Sequence, residues 1–217
     1  MLAEFEKEVP EVAKKVRILD EEEVRKQYGI HPKLNCPHLE TADKMYERIL
    51  EITRAGDSSG GVVEVVATGV PAGMGEPVFK KLDGEFGRML SIGAVKAVES
   101  GAGYAVKDMT GSQCNDQMFA KDGKVTFGSN NAGGITGGLA TGQDIVVRLA
   151  VKPTPTIAKP QHTIDKVSLE NAELAAVTRR DPTIVPRVWP VAEAFMAIIL
   201  LDHYMQHVAF QSLIKNK

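Results

Sequence analysis

Four short segments hold residues whose types could do chemistry. They are Gly56-Asp57-Ser58-Ser59-Gly60-Gly61, Gly69-Val70-Pro71-Ala72-Gly73-Met74-Gly75-Glu76-Pro77, the glycine-rich run from Asn130 to Gly142, and Arg179-Arg180-Asp181-Pro182. Glycine lets a backbone approach a ligand closely and take positive φ. Successive backbone N–H groups in such loops can cradle an anion. Asp181 has a plain alternative to any chemical role: an ion pair with Arg179 or Arg180, or a cap ahead of Pro182. Glycine loops taken singly serve turns more often than ligands.

The common phosphate and dinucleotide fingerprints are missing. Gly123-Lys124 is followed by Val125, so no P-loop is formed, and Val106 stands where a third glycine would follow Gly101 and Gly103. His203 and His207 are four apart and can share a helix face, but exposed polar positions near a helix end are the better reading than a metal site. Cys36 near His38 lacks the further ligand pairs that zinc needs, and Cys114 reads as a structural thiol. No metal is expected.

The elements that must position these segments follow from periodicity. Ala42, Met45, Ile49 and Ile52 predict a helix over Thr41–Arg54. The β-branched run 61–68 predicts a strand, as does 144–152. A strand broken by glycine is expected over 95–106, and a helix over 78–90. Shorter elements are expected at 16–19 (strand) and 20–28 (helix). The segment 188–213 reads as a long helix, apolar almost throughout its middle, of the kind buried in a core or a subunit interface. Irregular alternation of strands and helices points to an α+β or layered architecture. Residues 1–217 are read as one domain, with 1–34 a helical lead-in.

The chain has 217 residues, 43% hydrophobic, with a net charge of −2. Nothing in that balance supports nucleic-acid or membrane binding, and two distant cysteines suit a reducing, cytoplasmic setting. The amino terminus lacks an apolar signal core, and no stretch is long and apolar enough to span a bilayer.

In combination the segments are far more specific. GDSSGGVVEV, GVPAGMGEPVFKKLD, SIGAVKAVESGAGY, SNNAGGITGGLATGQ, KPTPTI and RRDPTIVPRVWPVAEA resemble chorismate synthase segments in the family's order, with NCPH before the first helix. The resemblance runs from about Asn35 to the carboxy terminus. It implies a layered β-α-β sandwich, incomplete at the amino terminus. It also implies an anti-1,4-elimination of phosphate from 5-enolpyruvylshikimate 3-phosphate, giving chorismate with reduced FMN as cofactor. A homo-oligomer is implied, usually a tetramer. Gly93, Ala94 and Gly137 resemble flavin-contacting positions, and Lys152, Pro153, Thr154, Pro155 and Thr156 match a flavin-binding segment. Arg179 and Asp181 match the catalytic arginine and aspartate, at the phosphates and near the reactive end of the flavin. An arginine fork suits phosphate, Lys152 can add a point charge, and Asp181 can orient a flavin N–H or relay a proton. Asn115 and Asp116 fit a loop that shapes the site or its cover.

Two departures stand out. Arg180 occupies the place of the family's histidine, and no FGESHG-type segment, basic substrate segment or second motif histidine occurs. None of His31, His38, His162, His203 and His207 inherits a general-acid role. The alternatives to a complete enzyme are therefore a flavin-binding half that needs a separate amino-terminal partner, or a truncated relative without activity. An unrelated glycine-rich domain is a third and weaker reading.

Overall fold

The computed structural model describes residues 22, 25, 26, 29, 31, 33–76, 78–175 and 181–215. The strand expected at 16–19, Arg179 and Arg180 lie outside these residues, as does most of the helix expected at 20–28. The chain divides into two compact units, 1–54 and 55–217.

In the first unit, helix α1 (Leu39–Arg54) begins two residues before the expected start. His38 explains the earlier start. Its Nδ1 accepts the Thr41 amide at 3.3 Å, the capping bond that serine or aspartate more often supplies.

In the second unit, β1 (Gly61–Ala67) is followed by the short helix α2 (Leu82–Gly87), a 3-10 turn and β2 (Val95–Ser100). A second 3-10 turn and one turn of helix, α3 (Gly111–Cys114), lead to the hairpin β3 (Met118–Lys121) and β4 (Lys124–Phe127). A tight hairpin follows, β5 (Ile135–Thr136) and β6 (Leu139–Ala140), then the strand β7 (Ile145–Val151). The hairpin β8 (Gln161–Ile164) and β9 (Asn171–Leu174) precedes the long helix α4 (Val185–Lys215).

The sheet that matters is three-stranded and antiparallel, in the order β1-β7-β2. Gly61 and Val95 both face Val151 at one end, and Ala67 faces Ile145 at the other. In β7, Ile145, Val147, Leu149 and Val151 all point into the core. Each such side chain contributes roughly 1.5–3 kcal/mol on burial. Val63 and Val65 of β1 extend that face, and α2 adds Leu82 and Phe86. Helix α4 packs on β1 and gives the core Val188, Ala192, Met196 and Ile199, spaced at one helical face.

Three expectations are corrected. The helix expected over 78–90 starts only at Leu82. Glu76 accepts the amides of Val78, Phe79 and Lys80 at 2.8, 2.6 and 2.7 Å, which spends those donors on a side chain in a tight bend. The strand expected over 95–106 stops at Ser100 because Gly101 turns the chain at φ 57°. Helix α4 begins three residues earlier than expected, at Val185, with Pro186 in its first turn, where a missing N–H costs nothing.

Candidate functional site

The lower end of the sheet, where β1 and β2 begin and β7 finishes, gathers four of the sequence segments. The amide of Lys152 donates to the carbonyl of Ala94 at 2.9 Å, which continues the β2–β7 ladder by one bond. That bond ties the SIGA segment to the KPTPT segment. The Ser58 hydroxyl donates to the Thr154 carbonyl at 2.6 Å, and the Ser59 amide donates to the Pro182 carbonyl at 2.8 Å. The glycines of GDSSGG make this approach feasible. A Cβ on Gly60 would collide with the carbonyl of Val151 and the ring of Pro153, and one on Gly61 would press on Val185. Glycine is required at 60 by close approach, not by backbone angle.

Gly93, Ala94, Lys152, Pro153, Thr154, Pro155, Thr156 and Asp181 therefore share one region. Lys152 is exposed, as are Pro153, Pro155 and Thr156, and Thr154 is half-buried. No atom of the described residues beyond its chain neighbours lies within 4 Å of where a Gly93 Cβ would sit. Ala94 holds φ at 70°, a left-handed conformation that costs a non-glycine residue roughly 1–2 kcal/mol. Such strain survives where the surroundings impose it, and here the Lys152 bond does so.

Asp181 has a partner that sequence proximity did not suggest. Its carboxylate accepts Nη1 of Arg187 at 2.9 Å, one helical turn into α4. Arg187 thus joins the candidate residues. Its signal was the Asp-x5-Arg spacing across a helix start. Asp57 and Lys159 form a second pair, at 2.6 Å, between the GDSSGG segment and the chain beyond KPTPT. Lys152, Lys159 and Arg187 are exposed cations in this region, the latter two paired with Asp57 and Asp181.

Gly137 is elsewhere. It lies in the β5–β6 turn, and Gly134 at the base of that hairpin abuts Asp144, the residue before β7. The turn is held by the Glu76 bend, because the Leu82 amide donates to the Gly138 carbonyl at 3.1 Å. β7 is seven residues long, so the two ends of the sheet stand about 20 Å apart. The Gly137 turn and the Lys152 region belong to opposite ends.

Glu76 is held below the ordinary carboxylate range, first by the Lys80 amide, then by those of Val78 and Phe79. His203 is buried on α4 with Nε2 lacking a partner, whereas the His207 ring nitrogen meets the Gln211 amide at 3.1 Å.

A family model described as chorismate synthase matches residues 1–205. The chorismate synthase of Methanosarcina barkeri is 51% identical over 174 residues, which are 80% of this chain and 48% of that protein. That of Acetivibrio thermocellus is 50% identical over 172 residues, 78% of this chain and 44% of that protein. A crystal structure of chorismate synthase superimposes with a TM-score of 0.65 at 33% identity, over 80% of this chain and 45% of that chain. The layered α+β fold expected from the motifs is thereby borne out, mixed helix and sheet with no barrel. The chain spans about half the length of the curated relatives it matches.

Proposed function

The chain belongs to the chorismate synthase family, and we propose that it supplies the flavin- and phosphate-binding region of an enzyme that eliminates phosphate from 5-enolpyruvylshikimate 3-phosphate to give chorismate. The observation that carries this reading is the convergence of Ala94, Lys152–Thr156 and Asp181 at one end of the sheet through three hydrogen bonds.

The residues present fit reduced FMN in kind. Gly93 offers open space for a ring, Thr154 and Thr156 are hydroxyl donors, and Lys152 and Arg187 offer charge to phosphate. Reduced flavin, when bound, supplies electron density as the carbon–oxygen bond to phosphate breaks. The chain's own part is to bind and orient. Lys152 and Arg187 neutralise the leaving phosphate, and Arg179 is assigned the same task by its motif. Asp181, fixed in direction by Arg187, can accept a hydrogen bond from a flavin N–H. The Gly137 turn, at the far end of the sheet, would reach a flavin in another copy of the chain, which accords with a homo-oligomeric enzyme.

A second reading follows from the chain spanning about half the length of its relatives. A chain that binds flavin without completing the elimination would show the same convergence. The readings part in one assay, anaerobic phosphate release from 5-enolpyruvylshikimate 3-phosphate with chemically reduced FMN. Release with chorismate formation supports the enzyme. Flavin binding without release supports the half-site that needs an amino-terminal partner. Unchanged FMN affinity in Lys152→Ala and Arg179→Ala, in a protein that does bind FMN, would sink the placement of the site.

A further inference from the structure

The segment from Ser129 to Gly134 crosses the upper end of the sheet, and nearly every polar backbone group in it is committed. On one side it is bonded to the sheet. The Ala102 amide donates to the Asn131 carbonyl at 2.8 Å, the Ser100 hydroxyl to the Ala132 carbonyl at 3.3 Å, and the Val146 amide to the Gly133 carbonyl at 3.3 Å. Gly101 and Gly133 touch so closely that a Cβ on either would collide with the other strand of chain. Further along, the Thr141 amide donates to the Gly134 carbonyl at 2.9 Å, which closes the base of the hairpin that carries Gly137.

On the other side, one carboxylate holds the segment. Asp116 accepts the Ser129 hydroxyl at 2.6 Å and the Asn131 amide at 2.7 Å on one oxygen, and the Ala132 amide at 2.9 Å on the other. The Asn131 side chain answers by donating to the carbonyls of Gln113 and Cys114 at 3.1 and 3.3 Å, just before Asp116. The clamp is reciprocal. It joins α3 and the stem of the β3–β4 hairpin to the segment that leads into β5.

We propose that Asp116 is a positioning residue: its carboxylate presses the 129–134 segment onto the end of β2 and β7 and thereby sets the place of the Gly137 turn. The link from that turn to flavin rests on the function proposed above; the clamp itself does not. Burial of Asp116 opposes its ionisation, but the Ser129 hydroxyl and the amides of Ala132 and Asn131 outweigh burial and hold the carboxyl below its ordinary range. These facing groups do not themselves titrate in acid. A carboxyl depressed on folding lends stability above the ordinary aspartate range and loses it as pH falls through the depressed value. The clamp therefore opens from the acid side.

Two measurements test this. The first is amide hydrogen exchange of the wild-type chain and Asp116→Asn, resolved to residues 129–134 and to β7. In Asp116→Asn a side-chain N–H₂ replaces one acceptor, so the variant cannot satisfy all three donors. Losing a hydrogen bond to a charged group should raise exchange at Asn131 and Ala132 by about ten-fold or more, with Val147 and Leu149 unchanged. The wild type should reproduce that pattern as pH falls, and the variant should not respond. Equal loss across β7, or no change at 131 and 132, would overturn the proposal. The second is FMN affinity against pH. Wild-type affinity should fall in acid, and the affinity of Asp116→Asn should be lower by about ten-fold at neutral pH and fall less steeply, since the Glu76 bend still titrates in it. A variant that binds flavin as the wild type does, with the same pH profile, would also overturn it. If the wild type binds no FMN, the proposed function fails, and the exchange data still decide the clamp.

Discussion

The two ends of the three-stranded sheet are built on different principles. At the lower end, loops are fastened by backbone and hydroxyl bonds: Lys152 to Ala94, Ser59 to Pro182, and Ser58 to Thr154. One ion pair, Asp57–Lys159, adds to that fastening, while the charges on Lys152, Asp181 and Arg187 stay open to solvent. At the upper end, two carboxylates are the fastening. Glu76 gathers three amides and Asp116 gathers two amides and a hydroxyl. An end tied mostly by neutral groups changes little with pH. An end tied by carboxylates has spent its charge on structure.

The comparison holds only while β7 spans both ends, so its largest test removes the span. Leu149 is fully buried at the centre of β7. Leu149→Ala should cost about 2–5 kcal/mol, seen as a lower midpoint in denaturant, and it should loosen both ends alike. A variant that lost one end only would show that the ends fold independently of the sheet.

Gly60→Ala should break the lower end alone. The added methyl meets the Val151 carbonyl and the Pro153 ring, and overpacking of that kind costs about 1–3 kcal/mol. FMN affinity should drop with it, while exchange at residues 129–134 keeps its wild-type pattern. Wild-type stability in this variant would mean that the loop has slack and that the convergence is weaker than the geometry indicates.

Acid should break the upper end in the opposite manner, with no mutation. Glu76 is depressed on folding, so its contribution is complete above the ordinary glutamate range and is lost as pH falls through the lower, folded value. The amides of Val78, Phe79 and Lys80 should lose protection in that window, and those of Lys152 and Ser59 should not. In Glu76→Gln the first three should be poorly protected at every pH. Parallel loss at both ends in the wild type would erase the distinction drawn here.

Much of this frame is readable from the sequence, and the rest fails for identifiable reasons. The strands β1 and β7 follow from β-branched runs, and α1 and α4 follow from apolar spacing, because burial of one face fixes both periods. The helix expected over 78–90 was shortened by a side chain, Glu76, that competes for the amides a helix would need; periodicity carries no record of such competition. Sequence reasoning matched Gly137, Gly93 and Ala94 to flavin-contacting positions, and motif order says nothing about which end of a strand a turn occupies. The described partner of Asp181 is Arg187, brought round by the first turn of α4, while the pairing weighed with Arg179 and Arg180 lies outside the described residues. The Ser58–Thr154 bond joins residues 96 apart in the chain, a distance at which no local pattern gives warning.

The smallest effect on stability is the sharpest test of the contrast. The Asp181–Arg187 pair is exposed, with side chains at 45% and 73% of full accessibility. Surface pairs of this kind contribute about 0–1 kcal/mol and less in salt, so Arg187→Ala should leave the unfolding midpoint almost unchanged. If the lower end is the phosphate site, however, the same substitution removes a cation and frees the Asp181 carboxylate to turn away. FMN or phosphate affinity should then fall by about ten-fold, the loss of one charge-assisted contact, and Arg187→Lys should restore only part of it, because an ammonium lacks the guanidinium fork. A stable variant with weakened anion binding is the signature of a charge kept for a ligand. A variant weakened in stability, with anion affinity intact, would place the pair among the fastenings and move the phosphate site away from this end of the sheet.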